Sequence, residues 1–219
     1  MPKIELKNVY KIFGEEPQSV LPLIKNGATK EEILEDTDHT VGLDNVSISV
    51  EEGETFVCMG LSGSGKSTLI RHINRLIDPT EGEVLVDGVN VLEFNEKELL
   101  ELRRHEMSMV FQRFGLFPHK TVKENVAYGL EVQDKPLEER NQTAEEQIKA
   151  VGLSGFEHQY PSQLSGGMQQ RVGLARALAT NPGILLMDEA FSALDPLIRN
   201  DMQDQLLELQ SKLHKTIVF

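Results

Sequence analysis

Gly60-Leu61-Ser62-Gly63-Ser64-Gly65-Lys66-Ser67-Thr68 has the form G-x-x-x-x-G-K-[ST] and sits between the apolar run Thr55-Phe56-Val57-Cys58-Met59 and apolar residues at helical spacing. Between a strand and a helix, such glycines leave backbone N–H groups free to curl around phosphate oxygens, and the helix N-terminus adds a partial positive charge. Lys66 is then placed to reach the β and γ phosphates, and the Ser67 hydroxyl to ligate Mg²⁺. A glycine turn without a ligand is the bland alternative, and the flanking strand and helix weigh against it. A second group of polar residues, Asp188 and Glu189, closes the apolar run Ile184-Leu185-Leu186-Met187. Carboxylates at a strand end commonly form a solvated turn. Beside a phosphate loop they acquire roles: Asp188, at the C-terminal edge of a parallel sheet, suits Mg²⁺, and Glu189 suits a general base toward attacking water. The run Leu164-Ser165-Gly166-Gly167-Met168-Gln169-Gln170-Arg171 reads as a helix start capped by Ser165. Its Ser-Gly-Gly opening also offers free N–H groups to an anion, which makes it a candidate second phosphate site.

The elements that must position these residues follow from periodicity. Lys3 to Val9 and Val46 to Val50 alternate apolar with polar residues and read as two edge-type strands. Between them Thr29 and Glu32 form a capping box before Ile33 and Leu34, so residues 15–40 read as a helical insertion. Thr55 to Met59 reads as a central parallel strand covered on both faces, with Cys58 in the core. Leu69, Ile70, Ile73, Leu76 and Ile77 carry a helix from Ser67 to the stop at Asp78-Pro79. Glu83 to Val91 reads as strand and turn, Glu96 to Arg104 as a short helix, and Met107 to Phe111 as a buried strand. Val122 to Leu130 and Leu137 to Val151 are helix-like with no strand between them, which makes residues 112–163 a helical subdomain. Gly166 to Ala179 is helical, Leu197 to Leu213 an amphipathic helix, and Thr216 to Phe219 an apolar strand. The alternation of strands and helices predicts a mainly parallel α/β core.

With 219 residues, 39% of them hydrophobic, the chain has material for one large domain or a domain with a subdomain. Its 22 Lys+Arg against 35 Asp+Glu leave a net charge of −13, which disfavours a nucleic-acid partner held by charge alone. Cys58 is the only cysteine, so no intramolecular disulfide forms, and Met1 to Tyr10 lacks a signal-segment pattern. A cytosolic protein is expected. No stretch approaches the roughly 20 apolar residues that cross a bilayer, so a membrane role has to come through a partner.

The phosphate loop, the Leu164 to Arg171 run, Asp188-Glu189 and Ser192-Ala193-Leu194-Asp195 stand in the order and spacing of the ATP-binding cassette (ABC) ATPases, a family the chain resembles over nearly its whole length. Within that family it is similar to the ATP-binding subunits of glycine betaine/proline importers. The residues that carry this likeness are Tyr10-Lys11-Ile12-Phe13-Gly14, the 15–40 insertion, Met59 to Thr68, and Asp188 to Arg199. The resemblance implies an ABC ATPase fold, an α/β P-loop NTPase (RecA-like) core with an antiparallel β subdomain and an inserted α-helical subdomain. It places a single domain over residues 1–219, with 1–111 and 164–219 as the nucleotide-binding core and β subdomain. ATP and Mg²⁺ are the implied cofactors. Phe13 matches the aromatic that stacks on adenine, and Gly60, Leu61, Ser62, Gly63, Ser64, Gly65, Lys66, Ser67 and Thr68 the phosphate loop. Ser67, Gln112 and Asp188 match positions around the metal, and Glu189, Lys66 and Gln112 the catalytic set. Ser165, Gly166 and Gly167 match the signature that closes over the γ-phosphate held by a second cassette, and Asp195 matches a loop that crosses between the two.

The partners implied by the resemblance are a second ATP-binding subunit in a head-to-tail dimer, transmembrane permease subunits gripping near Phe114 to His119, and indirectly a substrate-binding protein, with no nucleic acid. The expected function is ATP binding and hydrolysis that powers an importer of glycine betaine/proline-type osmoprotectants from the cytoplasmic face of the membrane. The alternatives are another small-solute importer and a cassette working on nucleic acid or ribosomes. Two departures stand out. Met168 occupies a position where many members carry Gln, which removes a side-chain contact and leaves the backbone N–H groups. The histidine that in relatives follows the strand Thr216 to Phe219 is not among the six histidines, and the C-terminal regulatory module often appended in betaine importers is missing. A C-terminally truncated chain that binds nucleotide but hydrolyses it poorly is therefore expected.

Overall fold

The computed structural model describes residues 1–112, 114–191, 196, 199–200, 203–204, 206 and 214–219. Ser192-Ala193-Leu194-Asp195 and most of the expected 197–213 helix lie outside the described residues. The chain divides into two units, Met1–Glu52 with Cys58–Leu99, and Gly53–Val57 with Leu100–Phe219.

The first unit is built on an antiparallel sheet of β1 (Ile4–Phe13), β2 (Thr40–Val50), β4 (Glu81–Val86) and β5 (Val89–Asn90), in the order β2-β1-β4-β5. β1 pairs with β2 on one side and β4 on the other, so it lies inside the sheet, where an edge strand had been expected. Alternation along a strand reports which face is buried; it carries no information about how many ladder partners the strand has. Ile4, Leu6 and Ile12 point into the core from β1, with Val84 and Val86 from β4. The segment from β1 to β2 folds as α1 (Leu21–Lys25) and α2 (Lys30–Thr37). Its capping box forms as expected: Glu32 N–H donates to Thr29 Oγ1 at 3.2 Å and Thr29 N–H to Glu32 Oε2 at 2.8 Å. Val20, Leu21, Ile24 and Ile33 bury against Tyr10, Ile12 and Val41 of the sheet. α3 (Lys66–Ile73) stops earlier than its apolar spacing indicates. Arg75 takes a left-handed backbone (φ +52°) and its guanidinium donates to Asp78 and to the carbonyls of Val91 and Phe94, which turns the chain and leaves Leu76 exposed.

The second unit is built on a parallel sheet of β3 (Thr55–Phe56), β6 (Met107–Val110), β7 (Ile184–Met187) and β8 (Thr216–Val218), in the order β3-β8-β7-β6. β7 lies between β6 and β8 and all four of its residues are buried, as a continuous apolar run in a parallel sheet requires. β3 is shorter than expected. Its ladder bonds, Ile217 N–H to Glu54 O at 2.8 Å and Phe219 N–H to Phe56 O at 2.9 Å, extend only to Phe56, where the chain leaves the sheet. Val57 and Met59 are consequently exposed, and Cys58 is half-buried where a core position had been expected. α4 (Glu96–Glu101) reaches this unit from the first and continues as a π-helical turn, Leu102–Glu106, into β6. α5 (Val122–Val132), α6 (Leu137–Ala150) and α7 (Gly166–Ala179) pack through Val122, Val126, Ala144, Ile148, Val172 and Leu174. Among the described residues no helix is long and apolar enough to cross a membrane.

Candidate nucleotide-binding and catalytic site

In the first unit, the loop Gly60–Gly65 leads into α3, with Gly65 as the N-cap in a left-handed conformation (φ +95°). Glycine is required there twice over. Any side chain would be strained at that φ, and a Cβ would lie 2.5 Å from the carbonyl oxygen of Gly42 on β2. Lys66 turns back across the loop and donates to the carbonyls of Gly60 at 3.0 Å and Leu61 at 2.8 Å. Leu61, Ser62, Gly63 and Ser64 are exposed, while Ser67 and Thr68 are half-buried in the first turn of α3. Leu69, Ile70 and Ile73 bury the other face of the helix and so fix the direction of its N-terminus.

Phe13 ends β1 and is 40% exposed as a residue, with the Lys11 ammonium 5.1 Å from the ring centroid. A Cβ on Gly42 would lie 2.7 Å from a Phe13 ring carbon, so the ring rests against glycine backbone. Gly42 thus touches both Phe13 and the Gly65 end of the phosphate loop. Sequence reasoning missed it, although a glycine between Val41 and Leu43 inside a strand is a signal of close backbone approach.

In the second unit, Asp188 follows β7 directly and is completely buried, with its N–H donating to Val110 O at 3.0 Å. Glu189 takes a left-handed backbone (φ +46°), a conformation that costs a non-glycine residue about 1–2 kcal/mol and turns the chain away from the strand line. The half-buried Glu189 carboxylate accepts a hydrogen bond from Gln112 Nε2 at 2.8 Å. Gln112 and Glu189, both proposed from sequence, are therefore brought together from the ends of β6 and β7. Ser165 caps α7 as expected, accepting from Met168 N–H at 3.3 Å, and leaves Gly166 exposed. The segment Phe117 to Thr121 is pinned by a residue the sequence did not flag. Buried Asn125 accepts from Phe117 N–H at 2.8 Å and donates to the carbonyls of Phe117, Lys120 and Thr121. The Phe117 ring packs 4.5 Å from that of Tyr128.

Two architectures for phosphate chemistry thus occur in one chain: a glycine nest ending in a lysine, and a buried strand ending in two carboxylates with separate surroundings. The ABC transporter family profile matches residues 43–192. The chain belongs to the ABC transporter family. The glycine betaine/carnitine transport ATP-binding protein GbuA of Listeria monocytogenes is 61% identical over 219 residues, covering 100% of this chain and 55% of that protein. The glycine betaine/proline betaine transport system ATP-binding protein ProV of Escherichia coli is 57% identical over 217 residues, covering 99% and 54%. The chain spans about half the length of these curated relatives. The dimeric structure of MJ0796, a bacterial ABC transporter cassette, aligns with a TM-score of 0.81 at 38% identity, covering 98% of this chain and 86% of that one. A structure of MJ0796 in a post-hydrolysis state bound to ADP and Pi aligns equally well. The ABC cassette fold expected from the sequence is thereby borne out.

Among the described residues no cluster of three or more His, Cys, Asp or Glu forms a cage. Within the second unit the Gln112 amide oxygen and the Asp188 carboxylate, at the ends of β6 and β7, are oxygen donors of the kind Mg²⁺ prefers, and in the first unit the Ser67 hydroxyl is another.

Proposed function

We propose that the chain binds ATP with Mg²⁺ and hydrolyses it, as one cassette of a head-to-tail pair that powers import of a quaternary-amine osmoprotectant of the glycine betaine/proline type. The observation that carries the reading is the Gln112–Glu189 hydrogen bond one residue beyond the buried Asp188, because it fixes a half-exposed carboxylate beside a buried one. In this reading residues 1–111 and 164–219 form the nucleotide-binding core and β subdomain, 15–40 a helical insertion and 112–163 the helical subdomain. Gly60 to Thr68 bind phosphate oxygens through backbone N–H groups, and Lys66 leaves the Gly60 and Leu61 carbonyls to neutralise charge on the transferring group. Phe13 offers its exposed ring to the adenine, next to the loop through Gly42. Ser67, Gln112 and Asp188 hold the metal, which when bound screens charge between the phosphates. Glu189 accepts the proton of the attacking water, and Gln112 fixes the orientation of that carboxylate. Ser165, Gly166 and Gly167 present the N-terminus of α7 to the nucleotide of the second cassette.

The substrate class and the membrane partners rest on the names of relatives, which are transport ATP-binding proteins for glycine betaine with carnitine or proline betaine. The permease subunits dock on the Phe114 to His119 segment at the cytoplasmic face of the membrane, and the substrate-binding protein acts through them. Mg·ATP binding and phosphate release by the chain test the enzymatic part, and failure to bind ATP overturns it. Glycine betaine uptake into vesicles holding the chain with its permease tests the transport part; ATP turnover without uptake rejects the substrate class and leaves the ATPase standing.

A further inference from the structure

The loop that carries Gln112 out of β6 meets α7 two residues later. Phe114 (φ +56°) and Gly115 (φ +57°) both have left-handed backbone. Arg176 of α7 takes both of their carbonyls, donating from Nη1 to Gly115 O at 2.6 Å and from Nη2 to Phe114 O at 3.1 Å. The rest of the loop follows the same helix face. A Cβ built on Gly166 would lie 3.8 Å from Phe114 Cζ, and one on Gly173 would lie 3.6 Å from the Phe114 carbonyl oxygen. Gly166, Gln170 and Gly173 are spaced i, i+4, i+7, so Gln170 shares the stripe that the loop covers. Gln170 is completely buried, and neither polar atom of its side-chain amide has a hydrogen-bond partner among the described residues.

The bonds that Arg176 makes here run to neutral carbonyls. Burial alone pulls its guanidinium below the ordinary arginine range. Withdrawing a cation from water without a carboxylate is unfavourable, and the two carbonyl bonds offset that cost. The guanidinium is a rigid planar fork, so it constrains the spacing of its two acceptors as well as their distance. Those acceptors lie two and three residues after Gln112, whose amide in turn holds Glu189 at 2.8 Å.

We propose that Arg176 is a positioning residue for ATP hydrolysis: by clamping Phe114 and Gly115 to α7 it keeps Gln112 on Glu189 and ties the signature turn Ser165–Gly167 to the carboxylate end of β7. The proposal rests on the ATPase reading above. Displacement of Gln112 by nucleotide then pulls on α7 of the same chain at two places, its last turn through Arg176 and its first through the Phe114 ring beside Gly166. The unbonded Gln170 amide beneath the loop offers polar atoms to the backbone when the loop shifts.

The test compares Mg·ATP affinity and phosphate release for the chain, Arg176→Lys, Arg176→Gln, Gln112→Ala and the Arg176→Gln/Gln112→Ala double variant. Arg176→Gln should lower kcat roughly 10-fold with ATP affinity nearly unchanged, on the scale that misplacing a catalytic group costs. Arg176→Lys, which keeps the charge and loses the fork, should fall between. The double variant should turn over within about 2-fold of Gln112→Ala, since the two residues act through one contact. Fully additive losses, or a loss in affinity that matches the loss in kcat, overturn the proposal. A wild-type chain that binds no ATP or releases no phosphate overturns the ATPase reading instead, and amide hydrogen exchange then decides the clamp. Exchange should rise together at the bonded amides of Phe114 and Phe117 and of Met168 and Gln169 in Arg176→Gln; a rise confined to the loop, or none, overturns it.

Discussion

The loop Gly60–Gly65 is a backbone feature, whereas the end of β7 presents side chains, and the two are stabilised over different distances along the chain. Lys66 bonds to carbonyls five and six residues away, and the left-handed turn at Gly65 is a property of that residue. Glu189 is held by Gln112, 77 residues earlier, and Asp188 N–H bonds to Val110 on the neighbouring strand. A nest of local bonds can form as soon as its own segment folds. The carboxylate pair exists only once β6 and β7 have paired, with Glu189 kept in a backbone conformation that isolated chains avoid. If the proposed function holds, substitutions should therefore separate binding, assigned there to the first region, from turnover, assigned to the second.

The largest effect is expected at Glu189. Glu189→Gln keeps an oxygen to accept from Gln112 and removes the proposed base, so phosphate release should slow at least roughly 10²-fold with ATP affinity almost unchanged. Loss of affinity in step with turnover, measured by equilibrium binding beside phosphate release, would break the separation of the two regions. Lys66→Ala should act on the other side of it. A charged donor to phosphate is worth about 1.5–3 kcal/mol, so ATP affinity should drop about 10- to 100-fold, visible as a shift of the binding midpoint.

Much of this was legible in the sequence because the relevant patterns are local. The phosphate loop, the Thr29–Glu32 capping box, the span of α7 and the buried strand Ile184–Met187 were all expected at or near their observed places. The misreadings share a physical cause. Cys58 lies in a continuous apolar run and is only half-buried, because ladder bonding rather than apolarity decides where β3 ends. α3 stops at Ile73 despite apolar residues at Leu76 and Ile77, because the three-way bonding of Arg75 turns the chain. Gly42, Asn125 and Arg176 went unnoticed as functional supports because each acts on residues remote in sequence: Gly42 on Phe13 and Gly65, and Arg176 on Phe114 and Gly115. Asn125 is the nearer case, closing a segment four to eight residues away, and a buried Asn inside a helix gives no sign of that from sequence.

A smaller effect is expected where the phosphate loop adjoins β1. Phe13→Ala removes the exposed ring that rests on Gly42 and keeps the loop itself, so ATP affinity should weaken about 5- to 10-fold, the lower range of base stacking on an aromatic. GTP should then bind the variant nearly as well as ATP does, since the remaining contacts are to phosphate; an unchanged ATP affinity would remove Phe13 from the site.

The smallest effect is a dependence on pH confined to the phosphate-loop region. His72 is completely buried on α3, and burial first of all, opposed by a hydrogen bond to the Thr68 carbonyl, holds its imidazole below the ordinary 6.5. Lys11 adds to the lowering and Asp78 works against it. Between the lowered value and 6.5 the unfolded chain takes up a proton that the folded chain refuses, so stability is intact above 6.5 and erodes as pH falls below it. Glu32, Glu124 and Glu157 also have lowered values, but what they contribute is lost only as pH falls below the ordinary carboxylate 4.5, so that, of the lowered groups among the described residues, His72 acts in the interval between. The urea midpoint should fall on going from about pH 7 to about pH 5.5, a range that brackets an unperturbed imidazole. His72→Gln should flatten that slope, and amide exchange should rise in α3 while α7 holds. A slope of the same size in His72→Gln would assign the effect to another group, and equal loosening of α7 would show that the two regions respond to protonation as one.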